Sequence, residues 1–273
     1  MDVVVVGGGI SGLACARALA GDGLDVLCLE AAPRAGGTIQ TVRRGGFVLE
    51  GGPTGFRDKV GAVRGICSEL GMEGDLIGST PSGSRWIRRG GRLRSFPASL
   101  LGFLESDLLS LRGRLRMLME PLVPSRSEDE TVEEFAVRRL GAEAARYLVD
   151  PIITGVFAGD PCKLSLQACL PHLAALESRG RSLLLALLRS RGRSRPLTSF
   201  REGTDQVVRI LARSLGRRLV LDAPVLGIGR RPGGFRVRVG GSMLGTVECS
   251  AVVSAAPAPA ARRYLSELDE ELA

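Results

Sequence analysis

The N-terminal end of the chain constrains the fold most, because a buried strand runs directly into a glycine-rich turn and then into a helix. Val3 to Val6 form a continuous β-branched run, which is typical of a strand buried on both faces of a parallel sheet. A small-residue helix over 13–20 and a second strand over 25–29 follow the turn, and Glu30 ends that strand. The turn reads G-x-G-x-x-G and consists of Gly7, Gly8, Gly9, Ile10, Ser11 and Gly12. This order of elements predicts a βαβ unit that binds a dinucleotide.

Each part of this unit has a physical role in holding the ligand. Gly7 allows the tight turn, Gly9 lets a pyrophosphate approach the backbone, and Gly12 permits close packing of helix on strand. The amides at the helix N-terminus attract the pyrophosphate. Glu30 lies close to the expected spacing of about 20 residues beyond the turn, where an acid accepts hydrogen bonds from a ribose diol. An acid there disfavours a 2′-phosphate, so FAD and NAD both remain open.

Two further glycine segments follow the dinucleotide motif. One contains Arg34 and the pair Gly36-Gly37, and the other runs from Phe47 to Gly55. Paired glycines suit a backbone that approaches a flat cofactor without side chains in the way. In this order the segments resemble the second signature and the flavin-contacting stretch of the flavin amine oxidase superfamily, which favours FAD. The resemblance implies cofactor contacts at Ala31, Arg34, Gly37, Thr38, Gly52, Pro53, Thr54 and Gly55.

Within this superfamily the sequence most closely resembles the protoporphyrinogen and coproporphyrinogen oxidases of late haem synthesis. The strings that carry the resemblance are 85–87, 94–97, 155–160 with 164–165, and 200–203. Carried over, Arg85 pairs with a propionate of the tetrapyrrole, and Gly155 leaves room for the macrocycle. Val225 would hydrogen-bond the adenine through its backbone. Thr54 replaces an arginine that some members carry, which puts in doubt a second cationic contact to the substrate near the flavin.

The resemblance implies FAD-dependent oxidation of protoporphyrinogen IX or coproporphyrinogen III to the porphyrin. A methylene bridge would give up hydride to the flavin, and dioxygen would restore the cofactor. The sequence shows no evident acid-base pair, and its one histidine, His172, is interpreted as structural. Members of the family continue further, so this chain is expected to be truncated. Two alternatives stay open: a non-catalytic FAD-binding fragment, and another superfamily flavoenzyme such as a carotenoid desaturase.

The predicted architecture is α/β, a discontinuous Rossmann-like FAD-binding domain with an inserted, mainly helical domain. The predicted boundaries are 1–75, 76–199 and 200–273. Helices are expected over 60–70 and 206–215, from a capping box at Thr131 to Gly141, and from Ala142 until Pro151 limits it. Strands are expected on either side of Gly90-Gly91 and over 218–221, 235–239 and 246–254.

Composition narrows the set of partners. Lys and Arg number 37 against 29 Asp and Glu, for a net charge of +8, but aromatics make up only 4% and no nucleic-acid reading motif is present. We therefore expect no nucleic-acid partner. Six cysteines without a C-x-x-C pair indicate small buried side chains rather than a metal site. A homodimer is compatible with the resemblance.

The cellular setting is inferred from apolar segments. No apolar run approaches the roughly 20 residues of a membrane-spanning helix, and a strand by the third residue predicts cytoplasmic residence without an export signal. A leucine-rich run over 100–111, followed by Arg112, Arg114 and Arg116, is either a buried core helix or a monotopic contact with one membrane leaflet. The latter implies a peripheral position on the cytoplasmic membrane face.

The C-terminal segment shows an amphipathic pattern. Leu265, Leu268 and Leu272 have helical spacing, with polar residues between them. If the chain is truncated, the partner of this apolar stripe is absent, and the three leucines are expected to be largely exposed and mobile.

Overall fold

The computed structural model describes residues 1–58, 61–79, 86–96, 107–126, 128–179, 182–185 and 197–268. The chain forms two compact units, Met1–Pro81 with Arg195–Ala273, and Ser82–Ser194. We call them the sheet unit and the helical unit. Strand β5 (Leu76–Gly78) pairs antiparallel with β8 (Thr198–Phe200). This pairing places 76–78 and 198–199 in the sheet unit, whereas the sequence put them in the inserted module.

The sheet unit is built on four parallel strands in the order β13-β1-β2-β9. Their bounds are β1 Val3–Val6, β2 Val26–Leu29, β9 Leu219–Val220 and β13 Ala251–Ser254. An antiparallel sheet consists of β10 Val225–Arg231, β11 Gly234–Val239 and β12 Gly245–Cys249, and a hairpin consists of β3 Thr41–Arg44 and β4 Phe47–Glu50. The helices are α1 Ile10–Gly21, α2 Ala62–Glu69, α9 Asp205–Leu215 and α10 Ala258–Leu265.

Alternation along the strands gives the parallel sheet two apolar faces. Val3 and Val5 pack with α1, α2 and α9, where Leu13 and Leu211 are fully buried. Val4 and Val6 pack on the opposite face against the antiparallel sheet and α10. Layers on both faces of a parallel sheet are the arrangement expected of an α/β dinucleotide-binding domain, so the predicted fold class is confirmed.

The predicted strand over 246–254 is in fact two strands. The extended backbone is interrupted at Ser250, whose amide donates to the Met1 carbonyl. As a result, β12 and β13 belong to different sheets. β13 pairs parallel with β1, Val3 lying opposite Ala251. A continuous apolar pattern predicts extended backbone but does not say which neighbour each half will find.

The C-terminal segment packs more closely than the sequence analysis expected. Tyr264 in α10 is buried, and its hydroxyl lies 2.6 Å from Ser254 Oγ. Leu265 and Leu268 are half-buried and pack on the core cluster beneath the antiparallel sheet. The expectation of large exposure is therefore wrong for these two, and Leu272 lies outside the described residues.

The helical unit begins with a hairpin, as predicted. Its strands are β6 Trp86–Arg89 and β7 Arg92–Ser95, joined at Gly90-Gly91. The helices are α3 Leu111–Leu118, α4 Val132–Leu140, α5 Ala142–Ala144, α6 Asp150–Phe157, α7 Leu166–Cys169 and α8 Pro171–Ser178, with a π-helical turn at Ala145–Val149.

Two local predictions in this unit have different outcomes. The capping box at Thr131 is confirmed, because its hydroxyl accepts from the Glu134 amide at 3.1 Å and the Glu134 carboxylate accepts from the Thr131 amide at 2.9 Å. Pro151 does not end a helix. It lies at the second residue of α6, directly after the π-helical turn at Ala145–Val149, and the helix continues through it to Phe157.

Charged side chains occupy part of the interior of the helical unit. Its apolar cluster is small and includes Leu108 and Leu109, which the sequence analysis left open as membrane-contacting residues. The buried charged residues are Glu120, Glu130, Arg139 and Glu177, joined by the partly exposed Arg138. Arg139 contacts Glu120 at 3.0 Å, and Arg138 contacts Glu177 at 2.7 Å. The hydrogen bond to Glu130 holds the pKa of Arg138 above its ordinary value.

Three of the six cysteines are buried as predicted, Cys15 and Cys169 are partly buried, and Cys162 departs most from the prediction. Cys28, Cys67 and Cys249 are buried. Cys162 is exposed and donates to Glu133 at 2.7 Å, which raises the pKa of its thiol to about 12. Over the ranges that the structure describes, no helix combines the length and the apolar character needed to cross a membrane.

Candidate functional site

The glycine-rich loop lies where β1 ends and α1 begins. A Cβ on Gly12 would overlap the Gly7 carbonyl oxygen, and a Cβ on Gly7 would lie 3.0 Å from the Ala255 carbonyl. The Gly7 amide donates to the Leu29 carbonyl of β2 at 2.8 Å. Gly7 and Gly12 are therefore required by close backbone packing, which places the start of α1 at the carboxyl end of the sheet.

The N-terminus of α1 is left open toward a ligand. Gly9 is its N-cap, no side chain caps the helix, and no acid lies in its first turn. A Cβ on Gly9 would meet no atom within 4 Å. The first amides of a helix lack intrahelical partners and carry partial positive charge. The first turn of α1 thus has open space beside Gly9, as a pyrophosphate site requires.

Glu30 is fixed directly beside this loop. Its Oε2 accepts from the Gly8 amide at 2.6 Å, and its Oε1 accepts from the Ala32 amide at 2.8 Å. A Cβ on Gly8 would lie 2.8 Å from Glu30 Cβ, so the glycine is what lets the acid approach. Each carboxylate oxygen can accept a second hydrogen bond. Glu30 is therefore positioned to receive two ribose hydroxyls.

The Arg34 segment lies alongside the glycine-rich loop, a contact that sequence spacing did not predict. The Gly36 amide donates to the Gly8 carbonyl at 2.8 Å, and a Cβ on Gly37 would lie 3.4 Å from Gly9 Cα. Arg34 is exposed, and its guanidinium donates to the carbonyls of Gly37 at 2.9 Å and Ile39 at 3.1 Å. In this structure Arg34 holds the shape of its own loop, and its contact with the cofactor stays a prediction.

The segment after β4 continues from the same place. A Cβ on Gly52 would overlap the Thr38 carbonyl oxygen, and one on Gly55 would lie 2.6 Å from the Thr198 carbonyl oxygen. Pro53 and Thr54 between them are exposed. The structure thus places Thr38 next to the segment 52–55. Such proximity is required if these residues contact one cofactor.

Glu50, which the sequence placed in the flavin-contacting stretch, is an internal anchor. Its carboxylate accepts from the hydroxyls of Thr41 at 2.8 Å and Thr204 at 2.7 Å, and from the Thr204 amide at 2.8 Å. Arg43 pairs with Asp205 at 2.8 Å on the same face of the hairpin. Burial opposes ionisation of Asp205, but the hydrogen bond from Arg43 and the charges of Arg43 and Arg209 keep its pKa below the ordinary value.

The loop that precedes Val225 contacts the segment that carries Glu30. The Ala223 amide donates to the Glu30 carbonyl at 2.8 Å, and the Asp222 amide donates to the Ala32 carbonyl at 3.1 Å. Val225 then begins β10, opposite Val239. The loop therefore joins Val225 to the edge that carries Glu30, consistent with a role on the adenosine side.

The two residues predicted to contact the substrate fall within the range of the helical unit. Gly155 is exposed in α6, and a Cβ there would meet no atom within 4 Å. Arg85 is outside the described residues, directly before β6. His172 is exposed on α8. The described residues contain no group of three or more His, Cys, Asp or Glu side chains that could hold a metal ion.

The residues at the sheet edge fit FAD as a group. The loop around Gly9 offers backbone amides and open space, Glu30 offers fixed acceptors, and the glycines at 36, 37 and 52 bring further backbone close to them. The negative charge of a pyrophosphate matches the helix N-terminus.

Comparisons with known proteins agree with this geometry. The family described as "Flavin containing amine oxidoreductase" matches residues 10–272. Coproporphyrinogen III oxidase of Bacillus subtilis (strain 168) is 31% identical over 76% of this chain and 47% of its own length. Protoporphyrinogen oxidase of Homo sapiens is 39% identical over 70% of this chain and 43% of its own length. The chain therefore spans about half the length of these curated relatives.

Solved structures show the same fold. A crystal structure from Exiguobacterium sp. 255-15, provisionally named protoporphyrinogen oxidase, matches 99% of this chain and 63% of its own chain, with a TM-score of 0.78 and 26% identity. Cyclohexylamine oxidase from Brevibacterium oxydans IH-35A matches 96% of this chain and 59% of its own, with a TM-score of 0.68 and 21% identity. The latter likeness concerns the fold alone.

Proposed function

This chain belongs to the flavin containing amine oxidoreductase family, whose cofactor is FAD, and we propose that it oxidises a porphyrinogen to the porphyrin. The observation that carries the proposal is the pattern of identities. Relatives named for coproporphyrinogen and protoporphyrinogen are 31% and 39% identical over 76% and 70% of this chain. Among the solved structures, the one named for protoporphyrinogen is 26% identical and cyclohexylamine oxidase is 21% identical. We propose dioxygen as the final electron acceptor and haem synthesis as the setting.

The residues of the sheet unit would hold the cofactor by its diphosphate and ribose. The amides of Ile10 and Ser11 receive the pyrophosphate in the open space beside Gly9, and the fixed carboxylate of Glu30 receives the ribose hydroxyls. When bound, the flavin supplies the acceptor for the electrons that leave the substrate. The protein then needs to orient and shield the porphyrinogen, which agrees with the absence of an evident acid-base pair from the sequence.

The test is to purify the chain, record its visible spectrum, and add protoporphyrinogen IX and coproporphyrinogen III in separate reactions. Flavin absorption with porphyrin fluorescence and oxygen consumption supports the proposal, and the faster reaction identifies the substrate. Flavin absorption without turnover would favour a non-catalytic FAD-binding fragment. Turnover of a carotenoid or an amine instead would favour another flavoenzyme of the superfamily.

Arg85 provides a sharper test of the substrate. We expect Arg85→Ala to raise KM more than it lowers kcat, because a carboxylate far from the reacting carbon is held equally in the ground and transition states. Steady-state kinetics with either porphyrinogen measure both constants. A lower kcat at unchanged KM would contradict the carboxylate contact.

We further propose that the helical unit rests on the cytoplasmic face of a membrane through an exposed apolar stripe. The stripe follows α3 and the next turn and consists of Leu111, Leu115, Leu118, Met119 and Leu122, which are 39% to 79% exposed. Arg112 is exposed beside it. Leucines facing a leaflet with arginines at the headgroups are typical of a monotopic contact.

Vesicle sedimentation tests this second proposal. We expect the chain to sediment with phosphatidylglycerol vesicles and less with phosphatidylcholine vesicles, and Leu115→Ser with Leu122→Ser to abolish sedimentation. Equal sedimentation of the variant would contradict a contact through the stripe.

A further inference from the structure

The β6–β7 hairpin has two faces of different character. Trp86 lies opposite Ser95, and Arg88 lies opposite Leu93. Because side chains alternate along a strand, these four residues share one face, while Ile87, Arg89, Arg92 and Arg94 share the other. We call the first the Trp86 face.

The opposite face is committed to the interior of the helical unit. Ile87 is buried against Leu108 and Leu109. Arg89 pairs with Glu143 at 2.7 Å and lies 4.1 Å from the centroid of the Tyr147 ring. Arg94 pairs with Asp107. Ile87, Arg89 and Arg94 therefore make the contacts that hold the hairpin against the rest of the helical unit.

The side chains of the Trp86 face are instead largely exposed. Trp86 is 57% exposed and Leu93 is 68% exposed. Arg88 is exposed, and its guanidinium makes no hydrogen bond or ion pair within the described parts of the chain. Trp86 is the only tryptophan in the protein. An indole and a leucine beside an unpaired guanidinium form an apolar surface with one cationic edge, which is the composition of a binding surface.

We infer that the Trp86 face binds the tetrapyrrole, with the ring on Trp86 and Leu93 and a ring carboxylate on Arg88. This inference rests on the proposed function. Residues two apart on a strand are separated by about 7 Å, so the face presents apolar area and charge at separate points of one ligand. Charge complementarity supports the choice, since Arg88 is the one charged residue of the Trp86 face and would meet a carboxylate of the ligand.

The single tryptophan makes the inference measurable without turnover. Coproporphyrin III and protoporphyrin IX are titrated into the protein while Trp86 emission and the Soret band are recorded, with N-acetyltryptophanamide correcting for absorption by the porphyrin. We expect most of the emission to be quenched at saturation, with the same midpoint as the Soret shift. Arg88→Gln should raise the apparent Kd about threefold to tenfold. Porphyrin methyl esters, which lack the carboxylates, should bind both proteins equally.

The hairpin offers a matched control. Arg92 is exposed on the opposite face, so Arg92→Gln makes the same charge change and should leave the Kd unchanged. Leu93→Ser should weaken binding, whereas Leu122→Ser on the stripe of α3 should not. Equal effects of Arg88→Gln and Arg92→Gln would show general charge attraction and overturn the inference.

The outcomes separate this inference from the proposed function. A Soret shift without quenching of Trp86 would mean that the porphyrin binds elsewhere, so the Trp86 face is wrong while the proposed function stands. If the protein gives no Soret shift and does not turn over a porphyrinogen, both the inference and the proposed function are overturned. Circular dichroism of each variant confirms that these exposed substitutions leave the fold intact.

Discussion

The sheet unit and the helical unit are stabilised by different interactions. In the sheet unit, Val3 to Val6 alternate between two apolar clusters on opposite faces of one parallel sheet. In the helical unit, the buried Arg139 contacts the equally buried Glu120 and Glu177. An apolar face tolerates many partners, whereas a buried charge needs one partner at one place. The helical unit therefore depends more strongly on single contacts.

The two units also differ in whether a side chain caps the N-terminus of a helix. The capping box satisfies the first turn of α4, whereas α1 has no side-chain cap. A capped N-terminus contributes to stability of the fold, and an uncapped one beside open space retains its amides for an anion. The comparison identifies where the protein gives up local stability for binding.

The largest expected effect comes from breaking the buried charge network. Arg139→Met should destabilise the helical unit by about 3 to 5 kcal/mol, because Glu120 and Glu177 lose a buried counter-charge. Urea unfolding followed by Trp86 fluorescence reports this unit, since Trp86 lies within it. Arg112→Met, an exposed substitution in the same unit, is the control, and a cost for Arg139→Met no greater than the control's would contradict a stabilising network.

The next effect concerns the glycine-rich loop. Gly12→Ala should cost the sheet unit about 3 kcal/mol, because the added methyl overlaps the Gly7 carbonyl oxygen. Gly9→Ala is the matched control, since its methyl meets no protein atom within 4 Å. We expect Gly9→Ala to unfold like the parent yet bind FAD more weakly. Normal FAD affinity in Gly9→Ala would show that the pyrophosphate lies elsewhere.

A smaller effect is expected for the ribose contact. Glu30→Ala should weaken FAD binding by about 1.5 to 3 kcal/mol, because a charged acceptor for the ribose hydroxyls is lost. Titration of FAD into the flavin-free variant measures the change. Glu69→Ala removes an exposed carboxylate of the same unit and should have no effect. An unchanged Kd in Glu30→Ala would remove this residue from the site.

The smallest effect tests the difference between the two helix N-termini. Thr131→Ala should destabilise the helical unit by about 1 kcal/mol, because the Glu134 amide loses the Thr131 hydroxyl as its acceptor. Ser11→Ala in the first turn of α1 should change stability by only a few tenths, since no side chain caps that helix. Equal losses of stability in both variants would contradict the difference between the capped α4 and the uncapped α1.

The sequence predicts the parts of the fold that rest on local pattern. The βαβ unit, the capping box and the hairpin at Gly90-Gly91 each depend on neighbouring residues and are found as predicted. The pairing of β13 with β1 and the anchoring of Glu50 by Thr204 join residues far apart in the chain, which periodicity cannot reveal. The buried network around Arg139 was missed because arginine and glutamate normally indicate a solvated surface.

In the candidate site, the residues of the glycine-rich loop and Glu30 were identified from spacing, because one short unit contains them all. The contact between the Arg34 loop and that loop depends on positive-φ backbone at Gly36 and Gly37, which the sequence permits without requiring. Pro151 shows the reverse error, since a residue expected to end a helix lies within continuous helical backbone, directly after a π-helical turn. Local sequence rules thus identified candidate residues better than they predicted the contacts that those residues make.

The pairing of β1 with β13 has a consequence for synthesis. Residues 3–6 are synthesised well before residues 251–254, their partners on one side, and the turn at Gly7 packs against Ala255. The nascent chain must therefore carry an unfinished β1 edge while nearly 250 further residues are added. The glycine-rich turn before α1 reaches its final packing only after β13 has been made, so the anion site is completed about 240 residues after the loop that forms it.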